Sequence, residues 1–412
     1  MEKRVIFITK EQRVLLCLLS SEITGIKKPL QEADFNEINW ELLFREANEQ
    51  TVTLMLAEAI LPYKKYMPKS FVWWKHTVVN TVAANIKTVL IEQELNNIMG
   101  DYPFFILKGM AAASYYPKPH ERILGDIDFL IHPSHKHQVT QLLEKNGYQD
   151  WNSEHICHVV FKKDYARLEM HYELSGIPYG TPGKIIREFL QDALEHRHMA
   201  VFDAWKFPAP NDLYHGIVLL LHMQHHMLGE GLGLRHLCDW ACYIQKTYEK
   251  AFWNVMLDLL ERIGLLVYAK VMTKTSSLYL GTICPDWANN IENTLCHEIL
   301  SDILTGGNFG RKNPARSKSG IMISEHGKSG TRHGKILNLF HVLRHTTAVK
   351  YPVVKKCPLL SPFLWFWRVF LYIKKVLSGQ QTSLFKIAAF AEERKNIYKK
   401  LHIFEINEKK ES

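Results

Sequence analysis

Apolar residues recur at helical spacing from Glu11 to Leu19, again from Asn39 to Ile60, and again from Ser70 to Met99. In the last stretch Phe71, Val72, Trp74, Val78, Val82 and Leu90 make a broad apolar stripe, the mark of a helix with one buried face. Residues 1–100 therefore read as an N-terminal helical region packed on the rest of the chain, with the Trp73-Trp74 pair inside that packing. Between 101 and 182 the period shortens. Phe104-Phe105-Ile106-Leu107 reads as a buried strand, and Gly125 to Ile131, His158 to Phe161 and Arg167 to Leu174 read as three more. Ala111 to Tyr116 looks helical. Ser134 to Asn146 does too, with Ser134 as N-cap and Gly147 as stop. The order strand, helix, strand, helix, strand, strand predicts a small sheet with helices on one side.

Helical spacing returns over 183–305, where Asn211 or Asp212 caps a helix running to Met227. Residues 306–335 are rich in Gly, Ser and basic side chains and cannot bury a core. A solvated linker is the preferred reading, ahead of a basic flap over phosphates. Residues 336–412 read as a helical tail. Within it, 362–376 is aromatic-rich, favouring packing on the domain over peripheral membrane contact. The fold class is α+β: a small mixed sheet flanked by N-terminal helices and a larger C-terminal helical region.

The net charge of +9 and pI near 9.0 fit an anionic ligand without choosing one. The seven cysteines form no C-x-x-C pair, which suits free thiols in a reducing cytoplasm. Leu15 to Leu19 is too short for a signal-peptide core, and no uncharged apolar run reaches the ~18–20 residues needed to cross a bilayer.

The chemistry concentrates at Gly125-Asp126-Ile127-Asp128. Side chains two apart on a strand share a face, so Asp126 and Asp128 point the same way. Two adjacent carboxylates repel unless a cation lies between them, and Mg²⁺ prefers oxygen ligands and travels with phosphates. A bare D-x-D is more often two solvated acids, so its surroundings must decide. Upstream, a strand runs into Lys108-Gly109-Met110, whose backbone suits a phosphate. Downstream, Arg167, Glu169, His171 and Glu173 share one polar strand face, with Glu169 the natural third acid. His222, His225 and His226 lie three and four apart on one helix. No matched Cys or Asp set accompanies them, so one or two lining the cleft, with the others satisfying local hydrogen bonds, is preferred to zinc binding. Arg235 and Asp239, one turn apart, are expected to form a helix ion pair.

Gly109, Asp126-x-Asp128 and a later strand carboxylate together resemble the nucleotidyltransferase superfamily that includes polymerase-β-type enzymes. The wider phrase from Leu107-Lys108-Gly109 through Arg122 and Asp128 to Leu168-Glu169-Met170-His171 is similar to a poorly characterised bacterial nucleotidyltransferase-like group. The resemblance extends to Arg235-His236-Leu237-Cys238-Asp239-Trp240 and fades in the first hundred residues. Met110 departs from it, since Gly or Ser usually follows that glycine.

The resemblance implies transfer of a nucleoside monophosphate from an NTP, ATP favoured, to a small molecule, protein or RNA. Asp126, Asp128 and Glu169 would be the catalytic, metal-holding acids for two Mg²⁺ ions, with Mn²⁺ as the alternative. Lys108, Gly109, Met110, Arg122 and His171 would contact the nucleotide, Arg122 being the better phosphate ligand because of its fork geometry. Two alternatives stand beside this: a catalytically silent nucleotide-binding module, and a toxin-like or maturation protein acting on a macromolecular partner.

Overall fold

The computed structural model describes residues 8–27, 29–68, 72–152, 157–178, 180–312, 363–365, 367, 394 and 396–405. At its centre lies a five-stranded sheet made of β1 (Phe104–Ile106), β2 (Ile127–Ile131), β3 (Gln149–Asn152), β4 (His158–Lys163) and β5 (Ala166–His171). The strand order is β1-β2-β5-β4-β3, with β2 and β5 parallel and the other neighbours antiparallel. β2 is buried along its whole length, as its run of Ile, Phe and Leu demands.

The helices are α1 (Lys10–Thr24), α2 (Glu32–Phe35), α3 (Trp40–Glu49), α4 (Thr53–Ala59), α5 (Val72–Met99), α6 (Met110–Ala113), α7 (Lys136–Lys145), α8 (Thr181–Glu195), α9 (Asp212–Leu228), α10 (Leu234–Thr247), α11 (Trp253–Arg262), α12 (Leu266–Leu280) and α13 (Asn293–Gly306). Among the described residues no helix is long and apolar enough to cross a membrane. The mixed α+β class holds. The helices, however, cover both faces of the sheet. Strand parity shows this directly. Phe104, Ile106, Phe129 and Ile131 pack with Leu95 and Met99 of α5 and Val139 and Leu143 of α7. Phe105, Leu107 and Leu130, one residue out of phase, join Ile186 and Leu190 of α8 and Ile217 of α9 in the larger helical core. Asp128 shares the parity of Leu130, so the acids belong to the face toward α9.

Other expectations change in detail. Asn39–Ile60 is two helices, broken near Thr51, whose φ is +60°. Ser134 is not a helix N-cap, because a 3₁₀ turn over Pro133–His135 comes between it and α7. The helix after Gly109 is four residues long, and β5 stops at His171. A hairpin of β6 (His198–Phe202) and β7 (Trp205–Ala209) interrupts the helical stretch expected from 183 onward. Trp74 stacks on Phe44 at 4.3 Å, so that tryptophan does pack. Val82 and Leu90 of the α5 stripe are exposed, whereas Asn85 and Glu92 point inward. The basic stretch beyond 312 and most of 362–376 lie outside the described residues.

The N-terminal helices are tied to the rest by polar contacts as well as by the core. The buried Gln50 side chain donates to the Ile303 carbonyl at 3.3 Å and accepts from the Leu234 N–H at 2.9 Å. One amide thus joins the end of α3 to α13 and to the start of α10.

Candidate functional site

Two acids meet where β2 and β5 run side by side, and a third lies just ahead of β2. The parallel register sets Asp128 opposite Glu169. Asp128 is buried, and its Oδ1 lies 3.0 Å from Lys108 Nζ and 3.1 Å from His171 Nε2. His171 also lies 3.7 Å from Glu169 Oε2. Asp126, just ahead of β2 and half exposed, is joined to the group through Arg167, whose Nε is 3.3 Å from Asp126 and whose Nη2 donates to Glu169 at 2.7 Å. The loop into Asp126 is fixed from behind. Asn85 donates to the Arg122 carbonyl at 2.9 Å and accepts from the Leu124 N–H at 2.8 Å. This explains why α5 turns an asparagine inward, at a position where the sequence pattern shows only a polar interruption.

The electrostatics follow from this crowding. Burial pushes the Asp128 carboxyl up, but Lys108 and His171 outweigh it and hold the group well below the usual carboxylate range. Burial also opposes ionisation of Glu169, and the hydrogen bond from His171 with the Lys108 charge leaves it lowered. His171 is raised despite burial, because both acids accept from it. Asp126 is raised, by burial first and then by the other two acids, against the pull of Arg167. The group faces a cavity of about 150 Å³ between the sheet and α9, lined by Lys108, Asp128, Glu169, His171, His222 and His226, among others.

Lys108 is therefore part of the site and not a surface strand end. Gly109 has φ +64° and ψ −113°, a conformation that favours glycine and lets the chain leave β1 and turn into α6. Met110 is 2% exposed and packs in the sheet core.

Arg122 corrects the expectation that it holds phosphate. It is buried and committed to Asp239, with Nε and Nη2 each 2.7 Å from a carboxylate oxygen. Tyr116 donates to the same carboxylate at 2.7 Å. The expected Arg235–Asp239 helix pair is replaced by this long-range one.

The histidines are closer than expected. His222 and His226 bring their Nε2 atoms to 2.9 Å, and Lys108 Nζ is 3.1 Å from His222 Nε2. His236 of α10 joins them across helices, giving three imidazoles with nitrogens within 4.8 Å. Burial, then the charges of Lys108 and Arg235, keep all three well below the usual imidazole range. His158, from β4, forms a second such group with Glu169 and His171. Spacing along the chain gives no sign of either His236 or His158, since both arrive through tertiary packing.

Comparison with known proteins gives one family. A sequence model described as "uncharacterised nucleotidyltransferase" matches residues 36–281, from ahead of α3 to the end of α12. The match thus reaches well into the N-terminal helices, where the resemblance was expected to fade. Comparison with curated proteins and with solved structures finds no match.

Proposed function

We propose, from the premise that this chain belongs to the uncharacterised nucleotidyltransferase family, that it moves a nucleoside monophosphate from an NTP, ATP favoured, to an acceptor hydroxyl. One observation carries the reading: the parallel register that sets Asp128 against Glu169, with Asp126 tied in through Arg167.

The residues fit a hard divalent cation. Asp128 and Glu169 line the cavity with His171 between them, and Asp126, outside that lining, is joined to Glu169 through Arg167. Asp126, Asp128 and Glu169 would hold Mg²⁺, or Mn²⁺, in one or two positions. Such an ion supplies neutralisation of phosphate charge and a lower pKa for the acceptor hydroxyl. The chain's own groups do the rest. Glu169 takes the acceptor proton as the acceptor oxygen bonds to the α-phosphorus and the bond to pyrophosphate breaks. His171 orients Asp128 and Glu169 together. Lys108, reaching between the acids and α9, meets a phosphate oxygen as a point charge. The turn at Gly109 sets the direction of that lysine.

A second reading is a silent nucleotide-binding module. It is favoured by Lys108 and Arg167, which already neutralise the acids, and by Met110 in the core. Labelled NTPs supplied to a cell extract with the wild-type protein or an Asp126→Ala/Asp128→Ala variant separate the two. Transfer of label by wild type alone, abolished by EDTA, supports the enzyme and exposes the acceptor, whether small molecule, protein or RNA. Nucleotide binding without transfer supports the module.

A further inference from the structure

On the side away from Glu169, the cavity ends on a group that the transfer chemistry leaves unused. His222 and His226 line it, and His236 lies behind them, with ring centres 5.2 and 5.4 Å away. By ligand count three imidazoles suit a transition metal. The protons and the charges point the other way. The Gly233 N–H donates to His236 Nδ1 at 3.3 Å, so the neutral ring carries its proton on Nε2, where a metal would need a lone pair. That Nε2–H is buried with no acceptor among the described residues. Arg235, the preceding residue, is 9% exposed, and its Nε–H also has no acceptor among them. Its guanidinium lies 5.7 Å from the Phe309 ring centre, and that ring packs on both His226 and His236. Lys108 Nζ is already 3.1 Å from His222. Two full positive charges and two unmatched buried donors repel a dication and attract an anion. Buried donors without acceptors are rare in folded proteins because each forfeits its hydration.

We propose that Lys108, Arg235 and His236, together with His222 and His226, form a phosphate subsite that receives the terminal phosphates of the nucleotide. This rests on the nucleotidyl-transfer reading of the cavity. Phosphate oxygens at the end of the cavity accept from the Lys108 ammonium, and from the His236 Nε2–H and the Arg235 Nε–H, which lie outside the cavity lining, once the His222 and His226 rings turn aside. Lys108 contacts both Asp128 and His222, so the subsite is continuous with the acids. The α-phosphate would lie toward Asp128 and the tail toward α10.

The test is calorimetric titration of the full chain with inorganic tripolyphosphate in EDTA. Wild type should bind, more weakly as salt rises. His236→Leu and Arg235→Gln should each weaken binding by about tenfold or more. His236→Gln, which restores an N–H donor, should stay within about threefold of wild type. ATP affinity should follow the same order, whereas AMP affinity should not change. Thermal melts check folding, and if Arg235→Gln melts early the His236→Leu and His236→Gln pair decides. Equal binding by wild type and His236→Leu overturns the subsite. So does a wild type that ignores tripolyphosphate and binds Zn²⁺ in a way that His236→Gln abolishes. Asp128→Asn separates the two readings: lost transfer with intact tripolyphosphate binding is expected. Transfer with an unchanged NTP KM in His236→Leu would remove the subsite and leave the transfer reading standing.

Discussion

Arg122 and Asp239 clasp each other through two parallel hydrogen bonds of 2.7 Å, both side chains almost wholly buried. The pair locks the loop before Asp126 onto α10. Removing either partner strands the other's charge in a dry interior. Arg122→Ala or Asp239→Ala should therefore cost about 3–5 kcal/mol of stability. Arg122→Lys should recover only part, because an ammonium cannot fill the fork. Denaturant unfolding checks this, and an Arg122→Ala protein of wild-type stability would refute it.

The acids should behave differently. Glu169→Gln keeps volume and removes a charge, so the fold should survive while transfer falls by about 10²-fold or more, whereas Asp128→Asn should lose transfer and also some stability, because Lys108 and buried His171 lose their partner. Single-turnover transfer measured beside a thermal melt separates the two effects. Equal activity in Glu169→Gln would take that residue out of the chemistry.

These two cases show what a sequence reading reaches. Asp126, Asp128 and Glu169 stand out because a strand repeats every two residues and their neighbours are strongly apolar. Arg122 looks like a phosphate ligand because its partner is 117 residues away. His236 meets His222 and His226 only once α10 packs on α9. The β6–β7 hairpin hides because β7 contains Pro208, which weakens a strand pattern. In α5 the apolar stripe suggests one buried face, but Asn85 and Glu92 turn inward for reasons that exist only in three dimensions.

Glu92 carries a pH dependence. It is fully buried, accepts from Asn96 at 2.7 Å, and burial pushes its carboxyl up to about 8. In the unfolded chain the group ionises near ~4.3. Between those values the unfolded state gives up the proton while the folded state keeps it. The contribution of Glu92 is therefore complete below the lower value and declines as pH rises toward the upper one, by up to about 1.4 kcal/mol per pH unit. Glu92→Gln should flatten that decline. Urea midpoints at about pH 5.5 and 7.5, both inside that window, measure it, and parallel slopes in both proteins would show that another group is responsible.

Gly109 offers a backbone test. A Cβ there would meet no atom within 4 Å, so any cost of Gly109→Ala comes from the positive φ alone. The expected loss is about 1–3 kcal/mol, with transfer reduced because Lys108 loses its aim. A variant as stable as wild type would mean that the turn relaxes into an ordinary conformation.

The side-by-side alignment of β2 and β5 has a consequence for how the protein is made. No short piece of chain holds both Asp128 and Glu169 at neighbouring positions, because the two strands come together only after the segment between them has crossed over and docked. A ligand that needs both acids cannot recognise a half-finished polypeptide. Its affinity is a gauge of completed assembly, and by mass action its presence drives maturation of the chain toward that end state.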